Sequence, residues 1–180
     1  MAALVPGRNC NDCTLCCTVL AIKALNKPPN TDCVHAAIGK GCQIYATRPA
    51  ACAAFHCEFL LDAKLPAHWR PKRARMVLYY DDEAQRLGVH VDPGKPEAWR
   101  QAPYYDDLKR WARAAAPIHG QVIVRVGEER IAILPDRDKR LGVLEADQVL
   151  AGIAYETPAG VIYDVIAMDK NDPRLAKKTP

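Results

Sequence analysis

From residue 58 to residue 180 the chain contains no cysteine. That absence excludes an even scatter of thiols and concentrates attention on the first third. No stretch approaches the roughly 20 consecutive apolar residues that a bilayer-spanning helix requires, so a membrane protein is not expected. The opening, MAALVPGRN, lacks a basic leader, an apolar run of signal-peptide length and a cleavage site, which makes a cytoplasmic protein the expectation. Neither a glycine-rich phosphate loop nor an H-E-x-x-H helix is present, which removes the best-marked nucleotide and zinc-protease chemistries. There is no repeat of solenoid period and no low-complexity tract.

What is present fits one globular domain. The 180 residues are 26% charged and 49% apolar, enough for an ordinary core without obligatory staples. The formal net charge is +4, but each ligating thiolate would add a negative charge that a metal only partly cancels. The basic balance is therefore not a nucleic-acid signal.

All eight cysteines, Cys10, Cys13, Cys16, Cys17, Cys33, Cys42, Cys52 and Cys57, lie within residues 10 to 57. In a reducing compartment they remain thiols, and the adjacent pair Cys16 and Cys17 suits disulfide formation poorly. Thiolates that stay reduced are available as metal ligands. Residues 10 to 17 read C-N-D-C-T-L-C-C. The C-x2-C-x2-C step is that of the first three ligands in a bacterial ferredoxin run, and C-x2-C is equally a zinc knuckle.

From Thr14 to Asn26 the pattern predicts a helix, with Leu15, Val19 and Ile22 on one face and Pro28–Pro29 as the stop. On that helix Cys16 and Cys17 would point about 100° apart, so they are not expected to serve one metal ion equally. Gly39 and Gly41 permit left-handed turns in the irregular segment 30–42. Arg48–Pro49 sets a bend before Cys52.

All eight cysteines are candidate metal ligands, with a [4Fe–4S] iron–sulfur cluster or Zn2+ as the occupant. They could complete two four-thiolate sites, or hold one cluster with the rest closing a zinc site or left free. The triplet spacing favours iron–sulfur. The plain alternative is a metal staple without chemistry, since closed four-thiolate sites are usually structural. His35 and His56 read as polar neighbours rather than ligands, because the cysteines already suffice. A nucleophilic pair of Cys57 with His56 is disfavoured, as adjacent residues rarely face one another. A redox pair of Cys10 and Cys13 lacks the βαβ setting such motifs need.

The run Cys10, Cys13, Cys16, Cys17, followed by Gly41–Cys42, Ile44–Tyr45, Arg48–Pro49, Cys52, Phe55 and Cys57, resembles the YkgJ-like cysteine-cluster family (CxxCxxCC). The resemblance covers residues 10 to about 60 and implies zinc or iron chelation by these thiols without implying a reaction. A related cysteine domain in flagellin lysine methylases implies a possible link to modification chemistry. One departure is Ala53, where the family often has a basic residue, which puts an anion contact there in doubt.

Beyond the cluster, two prolines in residues 61–75 argue against a continuous helix, and Arg70, Lys72, Arg73 and Arg75 form a basic run. It reads as a solvated surface in preference to an RNA contact with Trp69, Tyr79 and Tyr80 stacking nearby. Hairpins are predicted at 75–92, 120–134 and 148–168, a helical turn at 97–100, and a loop at 135–142. Residues 104–115 predict the clearest helix, with Tyr104, Leu108, Trp111 and Ala115 on one face and an Asp106–Arg110 pair. Asp81–Asp82 and Asp106–Asp107 read as a turn and a helix start rather than catalytic carboxylate pairs.

The expected fold is α+β. A loop-rich cysteine and metal module (1–60) packs on antiparallel β-hairpins and one long helix (61–168) in a shared domain, and 169–180 is a frayed tail. The expected function is metal binding. The alternatives are an enzyme or accessory factor in protein or RNA modification that uses the cluster for electron transfer or structure, and a zinc-stapled interaction module. An unknown protein partner is compatible with these readings. Nucleic acid is not expected as a partner.

Overall fold

A computed structural model describes residues 3–175 of the chain. Its frame is a five-stranded sheet whose central strands carry continuous buried apolar runs, because both faces are covered. Strands β3 (Met76–Asp81) and β4 (Arg86–Val91) pair antiparallel across a polar turn. Strand β5 (Gln121–Val126) then pairs β4 in parallel. A parallel neighbour needs a crossover rather than a tight turn, and helix α5 (Tyr104–Ala115) supplies it. Strand β6 (Glu129–Ile133) returns antiparallel through a turn at Gly127–Glu128, and β7 (Asp138–Gly142) completes the order β3-β4-β5-β6-β7. The architecture is α+β, as the element pattern led one to expect.

One face of this sheet carries Met76, Leu78, Val89, Val91, Val122, Val124, Ile131 and Ile133, all buried. On it pack α5 and the short helix α4 (Pro71–Ala74). The same core takes in Leu15 and Val19 of helix α1 (Leu15–Val19), together with Cys57 and, from helix α3 (Glu58–Leu61), Phe59 and Leu60. The cysteine-rich segment and the sheet thus share one set of apolar contacts. Strands β1 (Ala36–Ala37) and β2 (Gly41–Cys42) form a short antiparallel pair in the cysteine-rich segment, and β8 (Gln148–Thr157) and β9 (Gly160–Asp169) form a separate two-stranded hairpin. Its Leu150 and Val165 close a smaller core against Ile123, Ala132 and Leu134 on the opposite sheet face.

Four local expectations are corrected. The helix predicted from Thr14 to Asn26 is only α1, five residues long, followed by a 3-10 turn at Lys23–Leu25. Lys27 is the cause: its buried ammonium donates to the carbonyls of Thr18 (3.1 Å), Leu20 (2.6 Å) and Pro28 (2.8 Å). The first two are acceptors that a further helical turn would have used. The predicted loop 135–142 contains strand β7, which the polar run D-K-R-L-G disguises because charged residues have low strand propensity.

Arg110 pairs with Asp107 at 2.6 Å, not with Asp106. Asp107 is turned inward, where it accepts from Trp69 Nε1 at 2.8 Å and lies 2.9 Å from His68 Nε2. The expected set of antiparallel hairpins omitted the parallel β4–β5 pair, which no local pattern announces. Of the predicted frayed tail, Asp169 ends β9, Arg174 pairs with Asp172 at 2.7 Å, and 176–180 lie outside the described residues.

Among the described residues no helix is long and apolar enough to cross a membrane.

Candidate metal centre

The cysteines reach one place from several short elements. A tight turn closes the first pair, with the Cys13 amide donating to the Cys10 carbonyl at 3.0 Å. Helix α1 carries Cys16 and Cys17. Cys33 precedes the two-residue strand β1 (Ala36–Ala37), and Cys42 ends its partner β2 (Gly41–Cys42). Pro49 opens helix α2 (Ala50–Ala54), which presents Cys52, and Cys57 caps α3.

Seven of these thiols, Cys10, Cys13, Cys16, Cys17, Cys33, Cys42 and Cys52, line one cavity of about 110 Å3. His35, His56 and Arg48 share its wall, with Leu20, Ile22, Ile44 and Phe55 supplying apolar surface. Cys57 sits behind it, lining a smaller void of about 20 Å3 together with Cys10, Cys13 and Cys16. All eight cysteines are free thiols. As the side chains stand, no group of three or more His, Cys, Asp or Glu among the described residues is arranged to hold a metal ion. The thiols surround a common space without converging on one point.

Three ties hold this assembly. Gly41 has φ +80°, and a Cβ there would lie 2.3 Å from the carbonyl oxygen of Asn11. Only glycine lets the Cys42 strand lie against the Cys10–Cys13 turn. Asp12, inside that turn, is gripped by Arg70 and by Lys72, the latter at 2.9 Å. Arg8 donates to the carbonyls of Phe59 (2.7 Å), Asp62 (2.9 Å) and Leu65 (2.7 Å), pinning the entering chain beside α3.

The basic run is thereby largely spent within the fold. Arg70 and Lys72 serve Asp12, and Arg75 pairs with the buried Asp92.

Burial pushes the thiols of Cys10, Cys13 and Cys52 above the ordinary range and Cys57 up to about 11. At Cys10 and Cys52 the neighbouring thiols add to this, because one thiolate disfavours the next. The interaction between the neighbouring thiols of Cys16 and Cys17 raises Cys16 and draws Cys17 down. Both thiols of the adjacent pair line the same cavity. Cys16 also packs against the main core.

The sequence located the thiols but not their supports. Arg48 entered as part of a bend and of the family-like run, yet it also lines the cavity, with its guanidinium 3.7 Å from the Tyr45 ring centroid and donating to the Tyr45 carbonyl at 2.6 Å. Asp12 and Lys27 carried no spacing signal that could have marked them. No protein-family model, curated protein or solved structure matches the chain.

Proposed function

We propose that the chain is a metal-binding protein of the YkgJ-like kind, whose thiolates hold an iron–sulfur cluster or zinc in a reducing compartment such as the cytoplasm. The observation that carries this reading is the gathering of seven reduced thiols around one cavity. Burial raises the thiols of Cys10, Cys13 and Cys52, so a bare cluster of thiolates would be costly there. A cation removes that cost and takes the place of the protons. The donor set fits soft-metal chemistry.

Cys10, Cys13, Cys16, Cys17, Cys33, Cys42 and Cys52 would hold the metal, with Cys57 behind them and Arg48 offsetting residual negative charge. Seven thiols exceed the four that either a closed zinc site or a [4Fe–4S] cluster takes, so the further thiols would stand in reserve or serve a second ion, and the C-x2-C-x2-C spacing of Cys10, Cys13 and Cys16 is what favours iron–sulfur. A bound cluster would supply one-electron transfer, whereas zinc alone would supply a structural closure. The resemblance of residues 10–57 to YkgJ-like proteins agrees with this reading but names no substrate.

Anaerobic purification followed by assay of iron, acid-labile sulfide and zinc tests it. Brown protein with iron and sulfide in proportion to chain is the expected result, and colourless protein with zinc alone selects the structural form. Protein that takes up neither metal, or a Cys13→Ser/Cys42→Ser double variant that retains full occupancy, overturns the proposal. Loading should also release protons, measurable in weakly buffered solution.

A further inference from the structure

The sheet has a second concavity unrelated to the thiols. On the face opposite α5, beside the docked β8–β9 hairpin, a cavity of about 380 Å3 is lined by Arg86, Arg125 and Arg130 together with Tyr79, Asp81 and Leu150. This volume lies within the range of small-molecule pockets, roughly 300–1,000 Å3.

The arginines come from three neighbouring strands, and strand register brings them together. Arg125 and Arg130 stand directly opposite in the β5–β6 ladder. Like charges in that position repel and destabilise the pair. Each guanidinium is steadied mainly by neutral acceptors, which fix its position without cancelling its charge. Arg86 donates to Gln121 Oε1 at 3.1 Å and to the Leu150 carbonyl at 3.3 Å. Arg125 donates to the Gly127 carbonyl and Arg130 to that of Glu128, both at 3.0 Å.

The nearest carboxylate to Arg125 is Glu128, at 3.7 Å and itself largely exposed. On the wall, Asp81 is the one acidic group against three guanidinium groups, and one of its oxygens accepts from the Ala84 amide at 3.1 Å. The Tyr79 ring lies over Gly88, where any Cβ would collide with it, and stacks on the buried His90 at 5.2 Å. Burial, aided by the positive charge of Arg125 and Arg130, pulls His90 down to about 4, so it adds no charge.

Three forked donors around one space suit a phosphoryl group better than a carboxylate, which a single guanidinium can satisfy. We propose that this cavity binds a small organic phosphate. Its phosphoryl group is held by Arg86, Arg125 and Arg130, and its apolar body rests on Tyr79 and Leu150.

The test is titration calorimetry of the full chain with phenyl phosphate, inorganic phosphate and benzoate, alongside amide shift mapping by NMR. Phenyl phosphate should bind saturably and tighter than inorganic phosphate, with benzoate weaker by about tenfold or more. Arg125→Gln/Arg130→Gln should reduce phenyl phosphate affinity by about tenfold or more. Removing two facing like charges should not unfold the sheet, and a thermal melt checks this. Arg140→Gln, whose exposed side chain pairs with Glu129, should leave affinity unchanged. Should the double variant fail to fold, shifts confined in the native chain to the amides of residues 79, 86, 125 and 130 support the site. Absence of saturable binding, benzoate binding as tightly as phenyl phosphate, unchanged affinity in a folded double variant, or shifts mapping elsewhere each overturns the proposal.

Discussion

Gly39 and Gly41 offer a controlled pair for asking what holds the cysteine segments together. Both have positive φ, +74° and +80°, so alanine at either meets the same backbone penalty. That penalty is about 1–2 kcal/mol for a left-handed residue with a Cβ. They differ in their surroundings. Nothing lies within 4 Å of a Cβ built at Gly39, whereas at Gly41 the Asn11 carbonyl oxygen would be 2.3 Å away and its carbon 3.1 Å.

Backbone cannot swing aside as a side-chain tip can, so overpacking adds about 1–3 kcal/mol. Gly39→Ala should therefore cost about 1–2 kcal/mol and Gly41→Ala about 2–5 kcal/mol. The excess should appear as a gap opening between Cys42 and the Cys10–Cys13 turn. Urea unfolding of metal-loaded protein measures the first quantity, and metal per chain after gel filtration measures the second. Gly39→Ala should keep its metal while Gly41→Ala loses much of it. Equal destabilisation, or full loading of both, would refute the view that close approach of these two segments assembles the centre.

Three further outcomes are expected. If the thiols hold metal as proposed, chelation should lower the melting temperature and expose residues 10–57 to protease before the sheet, because the metal would contribute folding free energy to a segment poor in large apolar residues; identical cleavage patterns would contradict it. Asp107→Ala should cost about 2–4 kcal/mol at pH 7, since it strands the buried Trp69 N–H, worth about 1–3 kcal/mol alone, and removes the His68 and Arg110 contacts. Burial pushes the Asp107 carboxyl up, but the Trp69 and His68 hydrogen bonds and the Arg110 charge overcome this and hold it below the ordinary value. Its contribution is therefore full above the unfolded value of about 3.9 and fades as pH falls through the lower folded one. Urea melts at pH 7, 5 and 3 should show the gap between wild type and variant constant and then shrinking. Finally, polarisation titration with random single-stranded RNA should show no micromolar binding at physiological salt, because Arg70, Lys72 and Arg75 are already ion-paired. Four free cations would instead give a log–log salt slope of roughly −3.

How far sequence reasoning reached depended on the range of the interaction concerned. The three hairpins and α5 were legible because short apolar runs bounded by polar turns, and helical spacing, are local properties that tertiary packing reinforced. Tyr104 to Ala115 is the same helix in both views. The overlong helix after Thr14 failed because Lys27, eight residues beyond α1, takes the carbonyls from outside the window that periodicity inspects. Asp107 was passed over in favour of Asp106 because i,i+4 spacing cannot register that Trp69 waits on the inner side. The thiols were legible from their density alone. The grip of Arg70 on Asp12, 58 residues away, was not. Arg86, Arg125 and Arg130 carry no local signal, since only a parallel crossover and strand register make them neighbours.

The charge that disguised β7 has another consequence. A sheet presents unpaired N–H and C=O groups at each margin and can template growth from a neighbouring molecule. Here one margin is β7, where Lys139 is tied to Asp164 at 2.7 Å and Arg140 to Glu129 at 2.8 Å. A second chain seeking to add a strand would have to displace or desolvate those charges. At the other margin, the Tyr80 amide already donates to Glu58 Oε1 at 3.2 Å. Each margin of the ladder thus carries a feature that opposes recruitment of a further strand.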